Sequence, residues 1–199
     1  LAGTEKNMID SDLLRQKHFL RLHFIALNRD RPVGLRRRDA RRAARRLMAR
    51  PEWRRAETVG LFLSLPHEID TAPLIRAGRA AGKTIAVPVV APETRGMRFA
   101  RLPKSQGALR KNAHGVWEPR DPEWVERPDL LVVPGAAFTK GGERLGAGGG
   151  YFDRYLSETP RLKTLGYCFD HQLAVRLPGA VHDRRVNAVV TPGRVFARR

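Results

Sequence analysis

Apolar positions first recur at helical spacing between Leu35 and Ala49. Ala40, Ala43, Ala44, Leu47 and Met48 fall at i, i+3, i+4, i+7 and i+8, which lines one face of a helix. Pro51 then stops or kinks it. Beyond this point short apolar runs alternate with helix-sized intervals. Val59 to Ser64 reads as a buried strand. Thr71 to Ala81 reads as a helix, with Thr71 as N-cap, Pro73 in the first turn and Gly82 at its end. Thr84 to Val90, interrupted by Pro88, and the less apolar Met97 to Leu102 read as further strands. Ser105 to Arg127, rich in Pro, Gly and charge, reads as a long loop region. Leu130 to Val133, Thr164 to Phe169 and Ala188 to Val190 complete the strands, and Tyr151 to Leu156 reads as a short helix. Strands separated by helix-sized gaps predict βαβ units: an α/β fold with a mostly parallel, Rossmann-like sheet and helices on both faces. Ligands in such folds sit at the C-terminal ends of the strands.

The 199 residues suit one α/β domain, assigned to residues 35–199, preceded by an N-terminal segment over residues 1–34. No apolar run approaches the roughly 20 residues of a membrane-spanning helix. Leu1 to Asp10 is polar and lacks the basic-then-apolar layout of a secretory signal. The single cysteine, Cys168, excludes an internal disulfide and points to the cytoplasm. It lies in a strand pattern and reads as a small buried hydrophobe.

The formal net charge of +18, from 38 Lys+Arg against 20 Asp+Glu, calls for an anionic partner. Nucleic acid, nucleotides and polycarboxylates all qualify. Arg36, Arg37, Arg38, Arg41, Arg42, Arg45 and Arg46 occupy most of the non-apolar surface of the first periodic helix. That face is either simply solvated or a phosphate-binding surface.

The richest segment is DLLVVPGAAFTKGGERLGAGGGYFDRYL, Asp129 to Leu156. A strand runs to Gly135, a loop carries Lys140 and Arg144, and Gly146, Gly148, Gly149 and Gly150 precede a helix. Side-chain-free residues let backbone N–H groups approach phosphate oxygens, and a helix N-terminus adds orphan donors. Arg144 and Lys140 are placed to neutralise phosphate charge, and Asp153 to hold Mg²⁺ through one carboxylate. The loop is neither a Walker A motif nor GxGxxG. The plain alternative is a flexible surface loop.

Ser64 to Thr71, SLPHEIDT, joins a strand end to a helix start. Glu68 there suits a ring with several N–H donors, or Glu68 and Asp70 serve only the helix N-terminus. Trp117 in Gly115 to Pro119 either stacks on a flat heterocycle or packs on the surface. His182-Asp183 is a metal-ligand pair or a turn.

In chain order, FLSLPHEIDTAPLI, GKTIAVPVV, MRF, GVWEP, the glycine segment with its specific core RLGAGGGYFDRYL, GYCFDHQ and HDRRVNAVVT together resemble the 5-formyltetrahydrofolate cyclo-ligase family. The resemblance spans about Leu35 to Pro192 and implies a three-layer α/β/α sandwich. It implies ATP-dependent cyclisation of 5-formyltetrahydrofolate to 5,10-methenyltetrahydrofolate. In that chemistry the N5-formyl oxygen attacks the γ-phosphorus, N10 attacks the activated carbon, and phosphate leaves. The resemblance implies an ATP site at Arg144, Leu145, Gly146, Ala147, Gly148, Gly149, Gly150, Tyr151 and Phe152. Lys17 and Arg21 join it, in a Lys-x-x-Leu-Arg pattern. It gives Mg²⁺ to Asp153 and Asp183. The folate falls to Leu63, Glu68, Trp117 and Gly148 to Tyr151, and catalysis to Arg144 and Tyr151. The protein's share is alignment and charge neutralisation. Two departures stand out. Leu22 to Val33 is apolar and Pro-interrupted where relatives carry a basic helix. Gly149 stands where some relatives have Lys, so charge there must come from Lys140, Arg144 or Arg154. The expected partner is the small molecule 5-formyltetrahydrofolate, with no membrane, and the chain is expected to be a monomer. A basic nucleic-acid-binding α/β protein is the rival reading, against which stand the 7% aromatic content and the lack of an RNP, KH or finger motif.

Overall fold

The computed structural model describes residues 2–94, 96–113 and 115–198, with side chains from Ser11 onward. Leu1, with which the N-terminal segment begins, lies outside the described residues. Three helices open the chain: α1 (Ala2–Asp30), α2 (Val33–Met48) and α3 (Pro51–Arg55). Pro32 is the N-cap of α2, so the apolar stretch Leu22 to Val33 is helical through Asp30 and breaks only at the α1–α2 junction. Next come β1 (Thr58–Gly60), α4 (Ala72–Ala80), β2 (Thr84–Ala91) and β3 (Gly96–Arg101). A hairpin of β4 (Leu109–Lys111) and β5 (Trp117–Pro119) precedes β6 (Trp124–Val125) and β7 (Leu130–Val133). A second hairpin, β8 (Ala137–Thr139) and β9 (Arg144–Leu145), leads to α5 (Tyr151–Glu158). The chain closes with β10 (Lys163–Tyr167), β11 (Leu173–Ala174), β12 (Ala188–Val190) and β13 (Val195–Ala197).

The main sheet has the order β13-β12-β10-β7-β1-β2-β3-β6. Strands β12, β10, β7, β1 and β2 run parallel; β13, β3 and β6 add antiparallel edges. The pleat of β7 defines three layers. Leu130 and Val132 pack with Ala40, Ala43, Ala44, Leu47, Trp53 and Leu74 from α2, α3 and α4. Leu131 and Val133 point the other way, into a core shared with Tyr155 and Leu156 of α5. All four β7 residues are fully buried, which is why this strand reads as an unbroken apolar run. Each such side chain contributes about 1.5–3 kcal/mol by leaving water.

Some expected elements shift. The run Val59 to Ser64 pairs only as far as Gly60, with one further bond from Leu61 N–H to the Ala86 carbonyl. Phe62 and Leu63 are apolar because they face the core and a cleft, not because they extend the ladder. Thr71 is the N-cap residue of α4 without a capping bond; its hydroxyl donates to the Phe62 carbonyl at 2.8 Å, and Asp70 Oδ1 takes the Ala72 N–H instead. The expected loop from Ser105 to Arg127 contains β4, β5 and β6, strands of two or three residues, too short to leave a periodic signature. Pro88 sits in β2 beyond Ala86, the last residue paired with β1, where the strand keeps only its β3 neighbour.

Several arginines of α2 and its flanks fasten the helix to the domain. Arg31 pairs with buried Asp39, Arg36 donates to the Pro66 carbonyl, and Arg46 Nε donates to the Pro192 carbonyl at 2.9 Å. Arg37, Arg41, Arg42 and Arg45 remain exposed. No helix among the described residues is long and apolar enough to cross a membrane.

Candidate functional site

A cleft of about 330 Å³ opens over the C-terminal ends of β1 and β7. Its floor and walls are Phe62, Leu63 and Leu65 after β1, Pro88 and Val90 of β2, Met97 of β3, and Pro134 to Ala136 after β7. One end is closed by Arg144 and the glycine loop, including Gly146, Ala147, Gly149, Gly150, Tyr151, Phe152 and Asp153. Helix α1 contributes Ile25 and Asn28, and the β4–β5 hairpin contributes Asn112, Val116 and Glu118.

The β8–β9 hairpin aims Arg144. Its guanidinium is 2% exposed, pairs with Asp153 at 2.7 Å and donates through Nη1 to the Pro134 carbonyl at 3.2 Å. Its Nε is buried and has no partner among the described residues. An unpaired buried donor costs about 1–3 kcal/mol, and the Arg144 side chain forms part of the cleft wall. A Cβ at Gly146 would lie 2.6 Å from Arg144 Nη1, so a side chain there would displace the guanidinium. Gly150 has φ 68° and is the N-cap of α5, with no side chain to cap the first-turn N–H groups. The loop therefore ends at a helix N-terminus that no side chain caps, the layout anion binding uses.

Lys17 and Arg21 come from α1 to the same place. Lys17 is 5% exposed and pairs with Asp183 at 2.6 Å; Asp183 Oδ2 also accepts the Ala180 N–H at 2.6 Å. Arg21 Nε donates to the Gly146 carbonyl at 2.8 Å. Burial lowers the Arg21 guanidinium from its ordinary value; Asp183 raises it, Arg144 lowers it and Asp153 raises it. Asp153 Oδ1 accepts the N–H of Arg184, the neighbour of Asp183, at 3.1 Å. Three cations and two carboxylates thus gather behind the glycine loop. Asp183 both makes a turn, through its N–H to the Ala180 carbonyl, and forms an ion pair.

The loop after β1 is stitched by Ser64 Oγ, which donates to the Ile69 carbonyl at 2.9 Å and accepts the Thr71 N–H at 2.9 Å. It presents His67 and Glu68 to the cleft. Burial pushes the Glu68 carboxyl up to about 7, against its one lowering bond from Leu65 N–H. Asp70, not Glu68, serves the start of α4. Burial also lowers the His67 imidazole, followed by the charges of Arg29 and Arg36.

Three expected placements differ. Trp117 is not among the residues lining the cleft. In β5 neighbouring side chains point to opposite faces, so Val116 and Glu118 face the cleft, while Trp117 is 37% exposed with Lys111 Nζ 5.2 Å from its ring. Lys140 lies over Phe196 at 5.7 Å, away from the loop; Arg154 Nη2, in contrast, donates to the Gly149 carbonyl at 2.7 Å. The Leu145 side chain is buried with Phe24 and Ala137, so only its backbone belongs to the loop. Asn28, His67, Asn112 and Glu118 were not singled out from the sequence. The alternation of Val116 and Glu118 was the available signal for the last, hidden in a segment read as loop.

Cleft, glycine loop and parallel sheet define an α/β protein whose cleft lies at the C-terminal edge of the sheet, where ligands of such folds sit. The chain belongs to the 5-formyltetrahydrofolate cyclo-ligase family, whose sequence model matches residues 10–192. It is 39% identical over 160 residues to the 5-formyltetrahydrofolate cyclo-ligase of Escherichia coli (strain K12), covering 77% of this chain and 88% of that one. The mouse 5-formyltetrahydrofolate cyclo-ligase is 27% identical over 158 residues, covering 73% and 78%. The NMR structure of Aquifex aeolicus 5,10-methenyltetrahydrofolate synthetase matches with a TM-score of 0.80 at 30% identity, over 92% of this chain and 93% of that one.

Proposed function

We propose that this protein catalyses the ATP-dependent cyclisation of 5-formyltetrahydrofolate to 5,10-methenyltetrahydrofolate, releasing ADP and phosphate, as a cytoplasmic monomer. Family membership supports the reaction class. The observation that carries the reading is Arg144, lining the end of an apolar cleft beside a side-chain-free loop at an uncapped helix N-terminus. The triphosphate fits there. Backbone N–H groups of the loop, Arg144, Lys17 and Arg21 hold it, and Tyr151 and Phe152 lie between it and the cleft. Asp153 and Asp183 would share a Mg²⁺ with the phosphates. Two carboxylates are enough, since Mg²⁺ keeps several waters and takes phosphate oxygens, although no cluster of three or more His, Cys, Asp and Glu exists among the described residues. Bound there, the ion would neutralise charge on the transferring phosphoryl group.

The folate takes the apolar part of the cleft, with Leu63 on its wall and Glu68 on the N–H donors of the pterin. Arg144 stabilises the charge that develops as the formyl oxygen is phosphorylated; the apolar walls exclude water from the activated carbon. The nucleic-acid reading is not favoured, because the family match and the relatives it resembles are folate cyclo-ligases. The test is direct: purified protein with ATP, Mg²⁺ and 5-formyltetrahydrofolate should produce the near-ultraviolet absorbance of the methenyl product. Absence of ATP-dependent product from folded protein overturns the proposal.

A further inference from the structure

A second carboxylate lines the cleft, far in sequence from Glu68. Glu118 on β5 is 3% exposed. Its Oε1 accepts the Val90 N–H at 3.0 Å and Asn112 Nδ2 at 2.7 Å. Asn112 is itself held, its Oδ1 accepting the Val116 N–H at 3.1 Å. The hairpin therefore fixes the carboxylate at one oxygen. Among the described contacts the other, Oε2, carries no bond, yet it is not sealed from solvent as the buried unpartnered atoms are. Glu68 is arranged in the same way, with Oε2 on the Leu65 N–H and Oε1 outside the described bonds. Each wall of the cleft thus offers one anchored carboxylate with an oxygen to spare, among apolar neighbours such as Val90, Met97 and Val116.

Two acceptors in an apolar slot need a ligand with N–H donors at separated positions, because each charge left unpaired there is costly. The adenine of ATP has a single amino group. A reduced pterin has a 2-amino group and N3–H along one edge and N8–H on another. We infer that Glu118, anchored by Val90 and Asn112, is a second folate-binding residue that reads pterin N–H groups from the hairpin side while Glu68 reads them from the loop after β1. The inference rests on the proposed folate reading of the cleft and deepens it. It also gives the cleft a direction, with the pterin at the hairpin and the formyl group toward Arg144.

Glu118→Gln is the appropriate variant, since a glutamine oxygen can still accept the Val90 and Asn112 hydrogen bonds. Equilibrium binding of 5-formyltetrahydrofolate without ATP should weaken about tenfold or more, about 1.4 kcal/mol. The KM for ATP should stay within about twofold, and the thermal midpoint should not fall. Two analogues, one lacking the 2-amino group and one with carbon in place of N8, resolve contact from scaffolding. The analogue missing the group that Glu118 reads should bind wild type and variant alike. Unchanged folate affinity in the variant, or an equal further loss for both analogues, overturns the inference. Wild-type turnover is the control: an inactive wild type defeats the proposed function, whereas an active wild type with a silent Glu118→Gln defeats this inference alone.

Discussion

Lys17 on α1 and Asp183 in the loop before β12, 166 positions apart, form a 2.6 Å ion pair whose lysine is almost fully buried. Burial works to raise the Asp183 carboxyl, but the Lys17 and Ala180 hydrogen bonds and the charges of Lys17 and His182 hold it below its ordinary value. The folded protein therefore binds fewer protons here than the unfolded chain as pH falls. The pair stabilises the fold above the ordinary carboxylate range and is lost as pH drops through the lowered value. Lys17→Met should cost about 1–3 kcal/mol near neutral pH and raise the KM for ATP. Urea unfolding from neutral to acidic pH should show the gap between the two proteins closing in acid.

Asp153→Asn leaves the buried Arg144 guanidinium facing a neutral amide. About 2–4 kcal/mol of stability should be lost without nucleotide, measured by thermal unfolding. Excess ATP with Mg²⁺ should stabilise the variant less than wild type, because the carboxylate proposed to hold the ion is gone. Both Asp153→Asn and Asp183→Asn should need more Mg²⁺ for activity; an unaltered Mg²⁺ requirement in both contradicts the shared ion.

The Glu68 carboxyl keeps its proton to about 7 in the fold and to about 4.5 in an unfolded chain. Between those values the unfolded chain holds fewer protons, so stability falls as pH rises and then levels off. Glu68→Gln removes that loss. It should stabilise the free protein by up to about 3 kcal/mol above neutrality and by little at about pH 4, while raising the KM for the folate more than that for ATP. Denaturant titrations at the two pH values, with each substrate varied separately in the assay, decide between a ligand carboxylate and an idle one.

Trp117→Ala should leave the folate KM within about twofold of wild type, because the indole lies outside the cleft lining. Val116→Ala, one residue away and on the cleft face, should raise it. The reverse pattern would return Trp117 to the pocket wall.

Much of the α/β layering was legible because its signals are local and strong. Leu130 to Val133 is buried on both faces, and Ala40 to Leu47 keeps a helical stripe, so each declares itself within a few residues. The glycine loop was legible for the same reason: Arg144 to Asp153 is contiguous. Glu118 and Asn112 were not, because a pair of three-residue strands joined across a turn leaves no period to count. Asn28 was hidden differently. It is 2% exposed and bonded to His171 at 2.6 Å, a partner that only the folded chain brings near. Trp117 was harder to place, because an aromatic residue invites a stacking role and only the parity of its strand position shows which face it takes.

Helix α1 reaches both halves of the cleft. Lys17 and Arg21 stand at the phosphate end, while Ile25 and Asn28 wall the apolar end. From Lys17 to Asn28 a helix rises about 16 Å, so in the proposed function a single rod would meet both ligands. Whatever freedom the rod has in its seat, the first ligand to bind removes part of it, and the second then loses less entropy on binding. In the proposed function the two affinities are then linked, and thermodynamic reciprocity would have nucleotide and folate tighten one another by the same factor.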